Sequence, residues 1–196
     1  MSNLIPTPDS PSVAVAIVGS EVEPLARLLR VDPVSPERAQ AVILVVSAVS
    51  GFTTEITQAW EYCRDHYIPT IVAITDLDNS EIDFEDMSAI VTKSFEPVLT
   101  PFLVLHSDQG FPTALIELET LRITDYSLGL VSQRDSDPEH KELVAEFREE
   151  YLEAIEIAGE GAFQEGLLFP AIPLYLAIKM GVAEIANFLT QIPSRS

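Results

Sequence analysis

Apolar and polar positions fall along this chain in blocks whose period changes. Val13 to Val18 is an unbroken apolar run of strand length ended by Gly19 and Ser20, Val42 to Val46 is a second bounded by Ser47 and Gly51, and Thr70 to Thr75 is a third closing on the polar group Asp76 to Asn79. All three read as strands, the second and third of them buried. Between the second and third, Ile56, Ala59, Trp60 and Cys63 recur at helical spacing, with Thr53 or Thr54 as N-cap and Pro69 just past the end. That is a strand, a helix and a parallel strand. After the first run, Val22, Leu25, Leu28 and Leu29 predict a short amphipathic helix, and Ser20 with Glu23 has the form of a capping box.

The second half is patterned differently. Phe84, Met87, Ile90 and Val91 share one helical face within Ser80 to Lys93, and Phe102 to His106 and Ala114 to Leu121 read as strands punctuated by Pro101, Gly110 and Pro112. Tyr126 to Asp137 is polar and loop-like, with a short strand at Leu128 to Val131. Asp137 to Ala158 carries the longest helix signal: Asp137 suits the N-cap, Pro138 the first position and Gly159 the C-terminal turn. Its apolar stripe, Leu143, Phe147, Tyr151, Ala154 and Ile155, is expected to be core. Ala171 to Leu176 predicts a last strand, and Val182 to Leu189 a helix before Pro193.

Length and charge narrow the classes. With 196 residues, 47% of them hydrophobic, the chain can build a real core as one domain or one domain with an insertion. Eleven Lys and Arg face 31 Asp and Glu, a net charge of -20, which opposes a phosphate backbone or an anionic membrane surface. The single cysteine, Cys63, excludes an internal disulfide and a cysteine metal cluster. No basic start followed by a long apolar region precedes the first strand, so a cytoplasmic protein is expected, with Met1 to Ser12 a Pro-rich flexible arm.

Ligands of parallel α/β sheets sit at the carboxyl ends of strands, which directs attention to Thr75 to Asn79. Gly19 to Ala26, GSEVEPLA, stands where nucleotide-binding folds place a phosphate loop, yet it has none of the GxxxxGK[ST] residues, and Glu21 and Glu23 would repel a phosphate. The series Asp76, Asp78, Ser80, Asp83, Glu85 and Asp86 alternates oxygen ligands as a calcium loop does. Glu81 stands where that loop needs Gly, and Met87 where it needs a bidentate Glu, so the series reads as an acidic helix start. His66, His106 and His140 belong to separate elements and group with no Ser or Asp as a triad. Trp60 and Cys63 read as core. The carboxylates from Glu139 to Glu156 form a solvated helix face that could also meet a basic protein.

The order of pieces resembles the G domain of elongation factor G and related translational GTPases. AVILVVSAVSG is similar to the family's fourth strand and turn, QAWEYCRDHYIPTIVAI to the next helix and strand, and AIKMGVAEIANFLTQIPS to its closing helix. TDLD, Thr75 to Asp78, falls where the family carries the guanine-reading NKxD: the Asp is kept as Asp78, the Asn is Thr75 and the Lys is Asp76. Ala177 and Lys179 stand in for the loop that cups the base. The resemblance implies an α/β fold, a P-loop-GTPase-like parallel sheet over 13–99 and 167–196 with an inserted α+β subdomain over 100–166. It also implies loss of the phosphate loop, the switches and the DxxG segment, and of two strands, which leaves Val13 to Val18 at an exposed sheet edge.

The expected function is that of a pseudo-GTPase: a protein-interaction module without catalysis or a bound cofactor. One alternative is a weak guanine-nucleotide protein that holds GTP or GDP at a vestigial site of Thr75, Asp78 and Lys179. A second is a structural protein that forms a homodimer through Val13 to Val18.

Overall fold

All of Ala41–Ser47 and Thr70–Thr75 is buried, and around these runs the chain folds as an α/β protein with two five-stranded sheets. The computed structural model describes residues 3–4, 13–95, 97–127, 129 and 131–193. In chain order the elements are β1 (Asn3–Leu4), β2 (Val15–Gly19), α1 (Val22–Leu29), β3 (Ala41–Ser47), α2 (Thr54–Asp65), β4 (Thr70–Thr75), α3 (Phe84–Ser94), β5 (Val98–Leu99), β6 (Phe102–His106), β7 (Pro112–Glu117), β8 (Arg122–Asp125), β9 (Ser132–Asp135), α4 (Pro138–Leu143), α5 (Ala145–Ala158), β10 (Phe169–Pro173) and α6 (Val182–Thr190).

The first sheet is parallel throughout, in the order β2-β3-β4-β10-β5. Its register sets Ile43 between Ile17 and Ile71, so apolar side chains stack across three strands. Strands apolar at every position need cover on both faces, and the helices supply it. Thr53 caps α2 by accepting from the Ile56 N–H at 3.2 Å, which orients Ile56, Ala59, Trp60 and Cys63 into the core. Trp60 stacks on Phe95 at 4.7 Å and meets the edge of Phe169 at 4.6 Å.

β2 lies at the end of this sheet, as its expected edge position requires. Its exposure as a pairing surface is smaller than VAVAIV suggests. Val15 to Val18 are all buried, and the Val34 N–H, in the segment before β3, donates to the Val15 carbonyl at 2.9 Å.

The second sheet is antiparallel, in the order β1-β9-β8-β7-β6. Because side chains alternate across a strand, β6 and β7 each serve two layers. Phe102, Val104 and Leu115 join Tyr126 in the large core shared with the parallel sheet, while Leu103, Ala114, Ile116, Leu118 and Ile123 form a smaller cluster with Val144 on the far face. β1 adds to the edge through Asn3 opposite Gln133 and Leu4 opposite Ser132; the rest of the expected flexible arm lies outside the described residues.

Several expected elements are corrected. The helix expected over Asp137 to Ala158 breaks at Val144, whose side chain is 1% exposed in the smaller cluster. The stripe expected to be core is not buried: α5 has no buried residue, Leu143 is 68% exposed and Phe147 46%. The far face of the antiparallel sheet is too small to cover a whole helix. In α3, Ile90 points outward and Ser88 is buried instead, its hydroxyl donating to the Phe84 carbonyl at 2.7 Å.

The capping box at Ser20 and Glu23 does not form. Glu21 holds the N-cap position with φ 54 and no side-chain cap, and the Ser20 N–H donates to the Val45 carbonyl at 3.1 Å. The strand expected through Leu121 stops at Glu117 in a turn, and Leu121 itself has φ 58. The strand expected over Ala171 to Leu176 runs Phe169–Pro173. β8 carries a single apolar residue, Ile123, and β9 none, too little for an apolar signal; of the strand expected at Leu128 to Val131, Leu128 and Leu130 lie outside the described residues. Among the described residues no helix is long and apolar enough to cross a membrane.

Candidate functional site

The carboxyl ends of β2, β3, β4 and β10 form one rim of the parallel sheet, and four tight turns occupy it. Only Ser20 and Glu21 connect β2 to α1. Gly19, at φ 110, is required there, since a Cβ would lie 2.3 Å from the Val45 carbonyl oxygen and 3.0 Å from the Ile56 side chain. After β3, the buried Ser47 hydroxyl accepts from the Val49 and Ser50 N–H groups, each at 3.2 Å, and the Ala48 N–H donates to the Thr75 carbonyl at 2.8 Å. A short polar side chain thus replaces the backbone partner that a strand would have offered.

The two turns expected to carry the guanine site are neighbours because β4 and β10 pair directly, with the Leu174 N–H on the Ile74 carbonyl at 2.8 Å. In the first, Thr75 is buried, Asp76 turns the chain at φ 60, Leu77 packs inward and Asp78 is exposed. In the second, Tyr175 and Met180 exchange two backbone hydrogen bonds at 3.1 Å, and Lys179 caps the loop at φ 57, exposed. Thr75 therefore lies beneath the rim while Asp78 and Lys179 stand on it. Tyr175 is buried between the turns, and its hydroxyl is pushed up to about 12 by that burial and then by Glu85, Asp78 and Asp83. This rim is short, hydrogen-bonded to itself and acidic.

The remaining candidates take structural roles. Asp83 caps α3 by accepting from the Asp86 N–H at 2.8 Å. Among the described residues no group of three or more His, Cys, Asp or Glu side chains is placed to hold a metal ion. His66 stacks on Tyr62 with ring centroids 4.1 Å apart, His140 contacts Asp137 through Nδ1 at 2.7 Å, and His106 ends β6. The backbone N–H and ring of His140 hold the Asp137 carboxyl below its usual range. Burial pushes the Cys63 thiol up to about 11, which makes it a poor nucleophile near neutrality.

Two features have no counterpart in the expected sites. One is a cleft on either side of Phe147: a hollow of about 360 Å³ toward α3, lined by Glu85, Ala89 and Lys93, and one of about 170 Å³ toward β5, lined by Val98, Leu118 and Glu150. Thr100 and Leu103 line both. The stripe containing Phe147 was the signal, read as core because spacing does not reveal what covers a face. The other is a buried pair, Tyr126 and Glu184, in which the tyrosine O–H lies 2.7 Å from both carboxylate oxygens. Nothing local marks either residue, since the pair spans 58 positions.

The geometry defines an α/β protein in which a parallel sheet and an antiparallel sheet share a core. No protein-family model and no curated protein matches the sequence. Among solved structures, the crystal structure of ttk003000868 from Thermus thermophilus is similar, with a TM-score of 0.69 and 26% identity over 81% of this chain. The chain spans only 27% of that protein's length.

Proposed function

We propose that this chain is a degenerate G domain of the translational-GTPase kind, with a P-loop-GTPase-like sheet resembling that of elongation factor G, and that it acts in the cytoplasm as a non-catalytic protein-binding module. The observation that carries the reading is the two-residue connection between β2 and α1. Phosphoryl transfer is largely positioning and charge neutralisation around the phosphates. A connection of Ser20 and Glu21 has no length for a cradle of backbone donors, its Ser20 N–H is engaged by Val45, and Glu21 brings the wrong charge. The cleft at Phe147 and the acidic face of α4 and α5 suit a basic protein partner, because an apolar anchor site beside a carboxylate-rich helix face combines packing with electrostatic steering.

A second reading, weak guanine-nucleotide binding at Asp78 and Lys179, draws on the adjacency of their two turns. Calorimetric titration of the metal-free chain with GTP and GDP, with and without magnesium, separates the readings. A flat trace to millimolar nucleotide is expected. Binding with a Kd below about 100 μM, roughly -5.5 kcal/mol, that disappears in Asp78→Ala would overturn the pseudo-GTPase reading and establish the guanine site.

A further inference from the structure

Where the antiparallel sheet meets the parallel body, the shared core is apolar around one buried polar pair. Phe102, Val104, Leu115 and Phe163 belong to the same core as the parallel strands, and amid them Tyr126, 3% exposed, donates to Glu184, 5% exposed. Tyr126 directly follows β8, and Glu184 lies in the first turn of α6. Among the described residues this is the only side chain to side chain hydrogen bond with both partners buried. We propose that the Tyr126–Glu184 contact is a proton-controlled latch on the seam between the two sheets, firmest when Glu184 is neutral: ionisation strengthens the hydrogen bond itself but leaves a buried carboxylate without a counter-charge, and the seam as a whole loosens.

The chemistry of the surroundings sets the direction. A neutral acid in an apolar interface needs only its hydrogen-bond partners, whereas a carboxylate there needs a compensating charge. None is at hand. The cavity of about 280 Å³ that Glu184 lines is also lined by Glu117, Glu119, Glu160 and Tyr151 of α5, with no Lys, Arg or His in its wall. The charged groups lining this cavity are all acidic, and Arg148 of α5, which reaches its edge, donates to the Glu119 backbone carbonyl at 3.2 Å. Burial raises Glu184 above its usual 4.5 and Glu117 adds to the rise, while the Tyr126 hydroxyl and the Gly181 N–H draw it back. The cavity gives water a route to the carboxylate once the latch loosens. Because α6 begins where the Lys179 turn ends, the latch also ties that rim to the sheet beneath α4 and α5. None of this depends on the GTPase-like reading.

The folded-state value of Glu184 is raised above the unfolded one, which fixes the sign of the linkage. Stability from this group is complete below pH 4.5 and is lost as pH rises through the raised value. The test is urea denaturation of the wild-type chain, Glu184→Gln and Tyr126→Phe from pH 4.5 upward, with amide hydrogen exchange followed by segment and corrected for intrinsic rates. The wild-type folding constant should fall at least tenfold relative to Glu184→Gln across the window. Tyr126→Phe keeps the acid but removes its hydroxyl donor, so its loss should move to higher pH, a shift that a purely packing role would not produce. Protection should drop over 102–135 and persist over 41–75. Parallel profiles for wild type and Glu184→Gln, or a uniform loss of protection, would overturn the latch. Should the variants fail to fold, the carbon-13 carboxyl resonance of Glu184 in the wild-type chain decides: a midpoint above 4.5 supports the latch, and one at or below 4.5 defeats it.

Discussion

All seven residues of β3 are buried, whereas β9, at the outer part of the antiparallel sheet, has none buried. The first strand lies between neighbours on both sides and under helices on both faces; the second has the two-residue β1 beyond it. The difference assigns separate work to the two sheets. A strand with nothing polar to satisfy except its own ladder contributes stability and little recognition. Around the antiparallel sheet, polar strands, a half-covered helix and a cleft at Phe147 leave side chains available to another molecule, at the cost of a small core of their own.

If the division holds, truncating Ile43, which is 0% exposed at the centre of the parallel sheet, should destabilise the chain most. Ile43→Ala is expected to cost about 2–5 kcal/mol in urea denaturation, because its stacked neighbours cannot collapse into the void. Ile123 is equally buried but sits in the smaller cluster, under a helix that can settle toward it. Ile123→Ala should cost less, about 2 kcal/mol; a cost matching that of Ile43→Ala would erase the distinction between the cores. Phe147→Ser should change stability by under about 1 kcal/mol, since the ring is 46% exposed. A loss of more than about 2 kcal/mol there would return the stripe to the core, where its spacing alone had put it.

How much could be read from the chain depended on how local the cause was. The parallel strands, α2 with its Thr53 cap and the Asp137 cap were legible because apolar continuity, helical spacing and a capping hydroxyl or carboxylate act within a few residues. β8 and β9, RITD and SQRD, were not, because a short, largely polar strand is a strand by virtue of its neighbours' hydrogen bonds. The break at Val144 belongs with these: one buried residue met a patch with room for little else. For the candidate site, Asp78 and Lys179 were found at strand ends, and the pairing of β4 with β10 brought their turns side by side. That Thr75 would lie beneath the rim was a matter of packing.

By itself the sequence determined that this chain is α/β, that Val42 to Val46 and Thr70 to Thr75 are interior, that it is acidic, and that no GxxxxGK[ST] loop follows its first long strand. Those properties reside in residue type and in spacings shorter than a helix. Only the tertiary structure decided that the α5 stripe would stay half uncovered, that β2 would be shielded by Val34, and that Glu184 would be buried against Tyr126. Each of these depends on which surfaces meet, and a carboxyl group's environment is made by residues as distant in the chain as the 58 positions that separate that pair.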